Sequence, residues 1–90
     1  MPYIIQADRK QFEPAIQKLV QVITNNNSTK LKPGDLNYVI SRIMWEAFQK
    51  NPSYTFGNEL MGVVECVKQE FYRRMLAPYE DEKIKENGDL

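Results

Sequence analysis

The sequence predicts an all-α protein, a three-helix bundle with a kinked helical tail at its C-terminal end. Apolar residues recur at three- and four-residue steps in three separate stretches, which is the period of an amphipathic helix. Turn-forming residues separate these stretches, and no segment alternates convincingly between polar and apolar residues as a strand would. A single domain is expected over residues 1–90, because a chain of 90 residues has room for only one core.

The first helix is predicted over about residues 9–25, after an N-terminal arm formed by residues 1–8. Asp8 can cap this helix, and Gln11, three residues later, completes a capping-box pattern. Because a proline fits only the first turn of a helix, Pro14 predicts that the regular helix begins near Glu13. A polar, turn-rich segment, NNNSTKLKPG, then predicts a loop. The apolar stripe of the helix consists of Phe12, Ile16, Leu19, Val20 and Ile23.

The second helix is predicted over about residues 35–50. The turn residues Pro33 and Gly34 precede Asp35, whose carboxylate is expected to accept an N–H of the first turn. The helix is expected to end before Pro52, since the residue that precedes a proline avoids helical geometry. Its apolar stripe consists of Leu36, Val39, Ile40, Ile43, Ala47 and Phe48.

The third helix is the longest, predicted over about residues 56–77 with Thr55 or Asn58 as its cap. Further apolar residues (Cys66, Tyr72 and Leu76) widen its apolar surface beyond one stripe. A helix that is apolar over more than a third of its circumference usually contacts two partners, so this helix favours self-association. Its predicted buried face consists of Leu60, Val63, Val64, Val67, Phe71 and Met75.

Residues 78–90 form the tail. Pro78 lacks an N–H, so the long helix is expected to kink or stop there and a short helix to begin. Asp81 and Lys85 have the spacing of an ion pair on one helix face, and Gly88 is expected to end the helix. The large apolar residues of the tail, Tyr79 and Ile84, are expected to dock it on its own chain or on a neighbouring one.

Composition excludes several function classes. The chain has no histidine, which removes the commonest general base and zinc ligand, and Cys66 is its one cysteine. Paired E-x-x-E motifs for magnesium are also missing, so we expect no enzymatic activity, no catalytic or metal-binding residues and no cofactor. The 12 basic residues balance the 12 acidic ones, and we therefore expect no nucleic-acid or membrane binding. Without a secretory pattern at residues 1–10, a cytoplasmic location is expected.

Two sets of residues are candidates for binding. Arg73 and Arg74, with Tyr72 and Tyr38, could hold a small anionic ligand, because arginine forks suit phosphate groups. The structural alternative is an ion pair between Glu70 and Arg74, four residues apart on one helix. Trp45 lies slightly off the stripe of its helix and is either partly buried core or an interface anchor. The predicted interface consists of Tyr72, Met75, Leu76, Tyr79, Ile84 and Trp45.

Two segments carry a resemblance to a known family. GDLNYVISRI opens the second helix, and GVVECVKQEFYRRMLAPYEDEKIKENGD covers the third helix and the tail. In the motifs GDLNY and EFYRR-x-x-APYED-x-KI-x-ENGD the chain resembles a family of uncharacterised short bacterial and phage proteins. The resemblance implies a prokaryotic or viral origin, and it favours a tail that docks on a defined surface; it supplies no catalytic residues.

The sequence therefore predicts a small cytoplasmic helical interaction module that forms a homo-oligomer through its third helix and tail. A host or phage protein is a further candidate partner. The alternative hypothesis is an accessory protein that sequesters a small anionic, nucleotide-like ligand at subunit junctions.

Overall fold

A computed structural model describes residues 4–24 and 31–90, and every regular element in these ranges is helical. The all-α class is thereby confirmed. The helices are α1 (Gln6–Arg9), α2 (Glu13–Thr24), α3 (Pro33–Lys50), α4 (Tyr54–Phe71), a π-helical segment (Tyr72–Leu76) and α5 (Ala77–Asn87). The start of the predicted arm, with Tyr3, and most of the predicted loop lie outside the described residues.

The chain divides into two compact units, Met1–Gln49 and Lys50–Leu90. In the first unit, a single-turn helix precedes α2, and Gln11 Nε2 donates to the backbone oxygen of Asp8 at 3.0 Å. The expected capping box is therefore wrong: Asp8 lies inside α1, and its own N–H donates to Ile5 O. As its position predicts, Pro14 lies in the first turn of α2.

The start of α3 also differs from the expectation. The helix begins at Pro33, which suits a first helical position because the N–H it lacks would have no partner there. Asp35 is consequently an acidic residue of the first turn and not the cap, and its N–H donates to Lys32 O at 3.0 Å. A carboxylate in the first turn still interacts favourably with the helix dipole.

In the second unit, α4 begins two residues earlier than a cap at Thr55 would place it, and five earlier than a cap at Asn58. Ser53 has an extended backbone, and its Oγ accepts the N–H of Phe56 at 3.0 Å. Ser53 is thus the cap in place of Thr55 or Asn58. Serine is among the residues preferred at a cap, and Pro52 disfavours helical geometry at residue 51, so the start of α4 after this proline is consistent with both rules.

The helix does not stop at Pro78. Right-handed helical dihedral angles continue through both junctions of the π segment, at Tyr72 (φ −60°, ψ −50°) and at Ala77 (φ −61°, ψ −47°). The N–H of Ala77 donates to Tyr72 O, five residues back, where an α-helix would use a residue four back. This wider turn accommodates the proline ring, so helix runs from Tyr54 to Asn87 and ends at Gly88, whose φ of +90° favours glycine. The kink itself stays a prediction.

No side chain in the described ranges is buried. The predicted stripe of the first unit is half-buried at Leu19, Ile23, Val39, Ala47 and Phe48. On α4 and the π segment Leu60 is also half-buried, but Val67, Phe71 and Met75 are about 60% exposed, so the predicted face is only partly covered in the chain by itself. A bundle requires a buried core, so the three-helix bundle and the single domain stay predictions.

Replacing Ser53 with alanine removes the side-chain acceptor at the start of α4. We expect the variant to lose about 1 kcal/mol of unfolding free energy, the usual value of such a cap, as measured by denaturant unfolding followed by circular dichroism. Thr55→Ala, at the cap position the sequence suggested, is the matched control. Equal losses in the two variants would contradict the assignment of Ser53.

Candidate functional site

The π segment carries both arginines of the predicted ligand site. Arg73 Nη2 lies 3.0 Å from Glu70 Oε1 and 3.1 Å from Oε2, and Arg74 Nη1 lies 3.3 Å from Oε1. Both guanidinium side chains are about two-thirds exposed, whereas that of Glu70 is 30% exposed. The predicted pair of Glu70 and Arg74 is confirmed. One carboxylate thus serves two cations, and the three side chains together keep a single positive charge.

A second contact bridges the π segment along the helix. The Tyr72 hydroxyl donates to Glu80 Oε1 at 2.8 Å, although the two residues are eight positions apart. Two α turns take about 7.2 residues, and the π segment adds about one more because its bonds reach one residue further. The π segment therefore brings position 80 closer in line with position 72 than an uninterrupted α-helix would.

This contact changes the ionisation of Tyr72. Its hydroxyl donates to the Glu80 carboxylate, and the negative charge of that carboxylate also opposes a phenolate, so the pKa of Tyr72 is raised above its ordinary value of 10.0. Partial desolvation and the charge of Asp81 act in the same direction. At neutral pH Tyr72 is thus a hydrogen-bond donor held in place by Glu80.

The remaining predicted site residues lie on two elements. Tyr72, Met75, Leu76, Tyr79 and Ile84 are all exposed along the π segment and α5, and the Lys83 ammonium lies 5.5 Å from the centre of the Tyr79 ring, within the range of a cation–π contact. Trp45 and Tyr38 are exposed on α3, in the other compact unit. The ligand site that combines Tyr38 with Tyr72 and the arginines stays a prediction, as does the interface.

The charges of the tail pair differently from the expectation. Lys85 lies 3.5 Å from Glu82, three residues before it, and Lys83 lies 3.1 Å from Glu86. The predicted partner of Lys85 was Asp81. Both spacings bring side chains together on one helix face, and such exposed pairs contribute little to stability.

Across residues 4–24 and 31–90, no group of three or more Cys, Asp or Glu side chains is placed to hold a metal ion. Among the same residues, no helix has the length and apolar character needed to cross a membrane. Cys66 is a free, half-buried thiol on α4.

Comparison with known proteins places the chain in a family. The sequence matches the family described as Domain of unknown function (DUF6899) over residues 1–90, and the chain belongs to that family. No curated protein and no solved structure matches the sequence. The matched range, residues 1–90, includes the π segment and both compact units.

The Tyr72–Glu80 contact can be tested by titration. We expect near-ultraviolet absorbance to give Tyr72 a pKa above about 10, when wild-type protein is compared with Tyr72→Phe. Glu80→Gln should lower that pKa because the carboxylate is lost. The contact stabilises the helix below pH about 10, and its contribution is lost as pH rises through the raised pKa. An unchanged Tyr72 pKa in Glu80→Gln would contradict the contact.

Proposed function

We propose that the protein is a helical interaction module that self-associates through its long helix and tail. The supporting observation is the exposure of apolar side chains along residues 54–87. On α4 and the π segment these side chains recur at helical spacing, and singly scattered exposed apolar residues would not do so. A surface of this kind is typical of a helix that packs against a partner.

Energetics favour covering this surface. Full burial of a Val, Leu, Met or Phe side chain is worth about 1.5–3 kcal/mol, and none of the described side chains reaches burial in the chain by itself. Domains of this size have little stability to spare. Association of two or more copies would supply the core that the sequence pattern predicts, and in that state the three-helix bundle and docked tail become part of the proposal.

The proposal extends to the setting of the protein. The motif resemblance favours a bacterial or phage source, and the sequence favours the cytoplasm; cell fractionation of the native host tests the second point. A host or phage protein is a second candidate partner for the same surface.

Self-association is tested by native mass spectrometry of the untagged protein. We expect an integer multiple of 10.6 kDa, and we expect Val67→Glu to shift the protein toward monomer, because Val67 is 60% exposed on the apolar stripe and a charge there resists burial. Asn58→Glu, a charge added on the same helix away from the stripe, is the matched control. A bare wild-type monomer would refute the proposed function.

A second candidate function is sequestration of a small anionic, nucleotide-like ligand. Two largely exposed guanidinium groups on one helical turn support it, while Glu70 offsets part of their charge. Subunit junctions that bring several such pairs together would strengthen the site.

The double variant Arg73→Gln/Arg74→Gln tests this candidate. We expect it to abolish any binding of a nucleoside triphosphate measured by calorimetry, and to leave self-association unchanged. Arg42→Gln is the control, because Arg42 is also paired, with Glu46 at 2.7 Å, but lies in the other unit. Ligand binding that survives the double substitution would refute sequestration.

A further inference from the structure

The apolar residues of the long helix follow the spacing of a coiled coil with one irregularity. Coiled-coil contacts alternate steps of three and four residues. Leu60, Val64, Val67 and Phe71 are spaced four, three and four apart. The next position should be 74, but Arg74 stands there, and the apolar residue is Met75; a regular step of four then reaches Tyr79. One residue too many lies between Phe71 and Met75.

The π segment lies at this irregularity. It spans Tyr72–Leu76, and a π turn takes in about one residue more than an α turn. In an uninterrupted α-helix each step of four residues turns about 40° past a full turn, so Tyr79 would lie about 80° around the helix axis from Phe71. The wider turn removes this rotation. The contact between Tyr72 and Glu80, eight residues apart at 2.8 Å, independently reports the same alignment.

We propose that the π segment is a register device that joins Leu60, Val64, Val67, Phe71, Met75 and Tyr79 into one apolar seam for a second copy of the chain. This inference rests on the proposed function and specifies its surface. Pro78 holds the extra residue in the π turn, because an α turn would press its ring against the carbonyl of residue 74. Tyr72 and Glu80 are positioning residues beside the seam.

The area of the seam agrees with a second copy as its occupant. Phe71 and Tyr79 are each 59% exposed, so more than half of the roughly 150–250 Å² that an aromatic side chain can bury is still available at each. The aliphatic members of the seam and its apolar flanks, Met61, Val63 and Leu76, add to this surface. Together they reach the scale of a standard interface, about 800 Å² per partner.

The positions at which the seam ends also favour an identical helix as its partner. Continuing the spacing beyond Tyr79 places Glu82 and Glu86 in line, and both are exposed and paired with lysines of their own helix. Before Leu60 the spacing reaches Gly57. The apolar contact therefore stops after six positions, and an identical helix supplies a complementary seam of the same extent.

Replacing Pro78 tests the alignment of the seam residues independently of the stability of the helix. Pro78→Ala permits an ordinary α-helix, so we expect far-ultraviolet circular dichroism to show equal or greater helicity. Self-association, measured by sedimentation over a range of concentrations, should nevertheless weaken by about tenfold or more, because Tyr79 turns out of line with the other seam residues. The Tyr72 pKa should fall as the contact with Glu80 is lost.

Deleting Arg74 in the Pro78→Ala background removes the extra residue and restores regular coiled-coil spacing. We expect self-association to return to within about threefold of wild type, since all six seam positions align again. Arg74→Ala in the same background controls for the lost charge and should not restore it. Unchanged self-association in Pro78→Ala, or no recovery after the deletion despite full helicity, would overturn the register proposal alone. A monomeric wild type would instead refute the proposed function, leaving the seam to the chain itself or to another protein.

Discussion

The second unit depends on how its helix accommodates one missing N–H group. Pro78 cannot donate a backbone hydrogen bond, and its ring occupies the space of a carbonyl in the preceding α turn. The helix continues past Pro78, and the clash is avoided because one turn is wider than an α turn. In this wider turn the N–H of Ala77 donates to Tyr72 O. The hydroxyl contact of Tyr72 and the direction of α5's side chains follow from that wider turn.

A helix that exposes its apolar face has only a few ways to be stable. Helices gain most of their stability in proteins from packing of an amphipathic face and not from propensity. The exposed ion pairs along residues 65–86 each contribute little, and they cannot replace a core. Self-association would bury the exposed apolar face, and the side chains that lack a core are also those with coiled-coil spacing. The proposal thus explains exposure and pattern with one contact.

Much of the fold could be predicted from the sequence, since helical periodicity is a strong local signal. The three long stretches, the position of Pro14 and the stop at Gly88 all follow from residue type and spacing. The caps were harder: Ser53, Thr55 and Asn58 are all acceptable chemically, and only backbone geometry selects Ser53. Likewise, Pro33 and Asp35 both suit a helix start, and they are only two residues apart.

The contact between Tyr72 and Glu80 could not be predicted by the usual rules, which consider residues three or four apart. In an ordinary α-helix residues eight apart differ by about 80° around the axis, and a π turn brings them nearly into line. Pro78 by itself suggests a break as readily as a wider turn. The sequence does contain one signal, the step of four from Phe71 to Met75 where three is due. Reading that step together with Pro78 would have indicated a π turn.

The acidic end of α5 has a consequence for how far any assembly can grow. Two identical helices that slipped by one heptad would place Glu82 or Glu86 against apolar residues, and burying these carboxylates together with their lysine partners is costly. Staggered stacking, in which each copy overlaps two others and a filament extends without limit, is penalised for the same reason. The carboxylates that make the tail soluble therefore also favour a closed particle of fixed size over an open fibre.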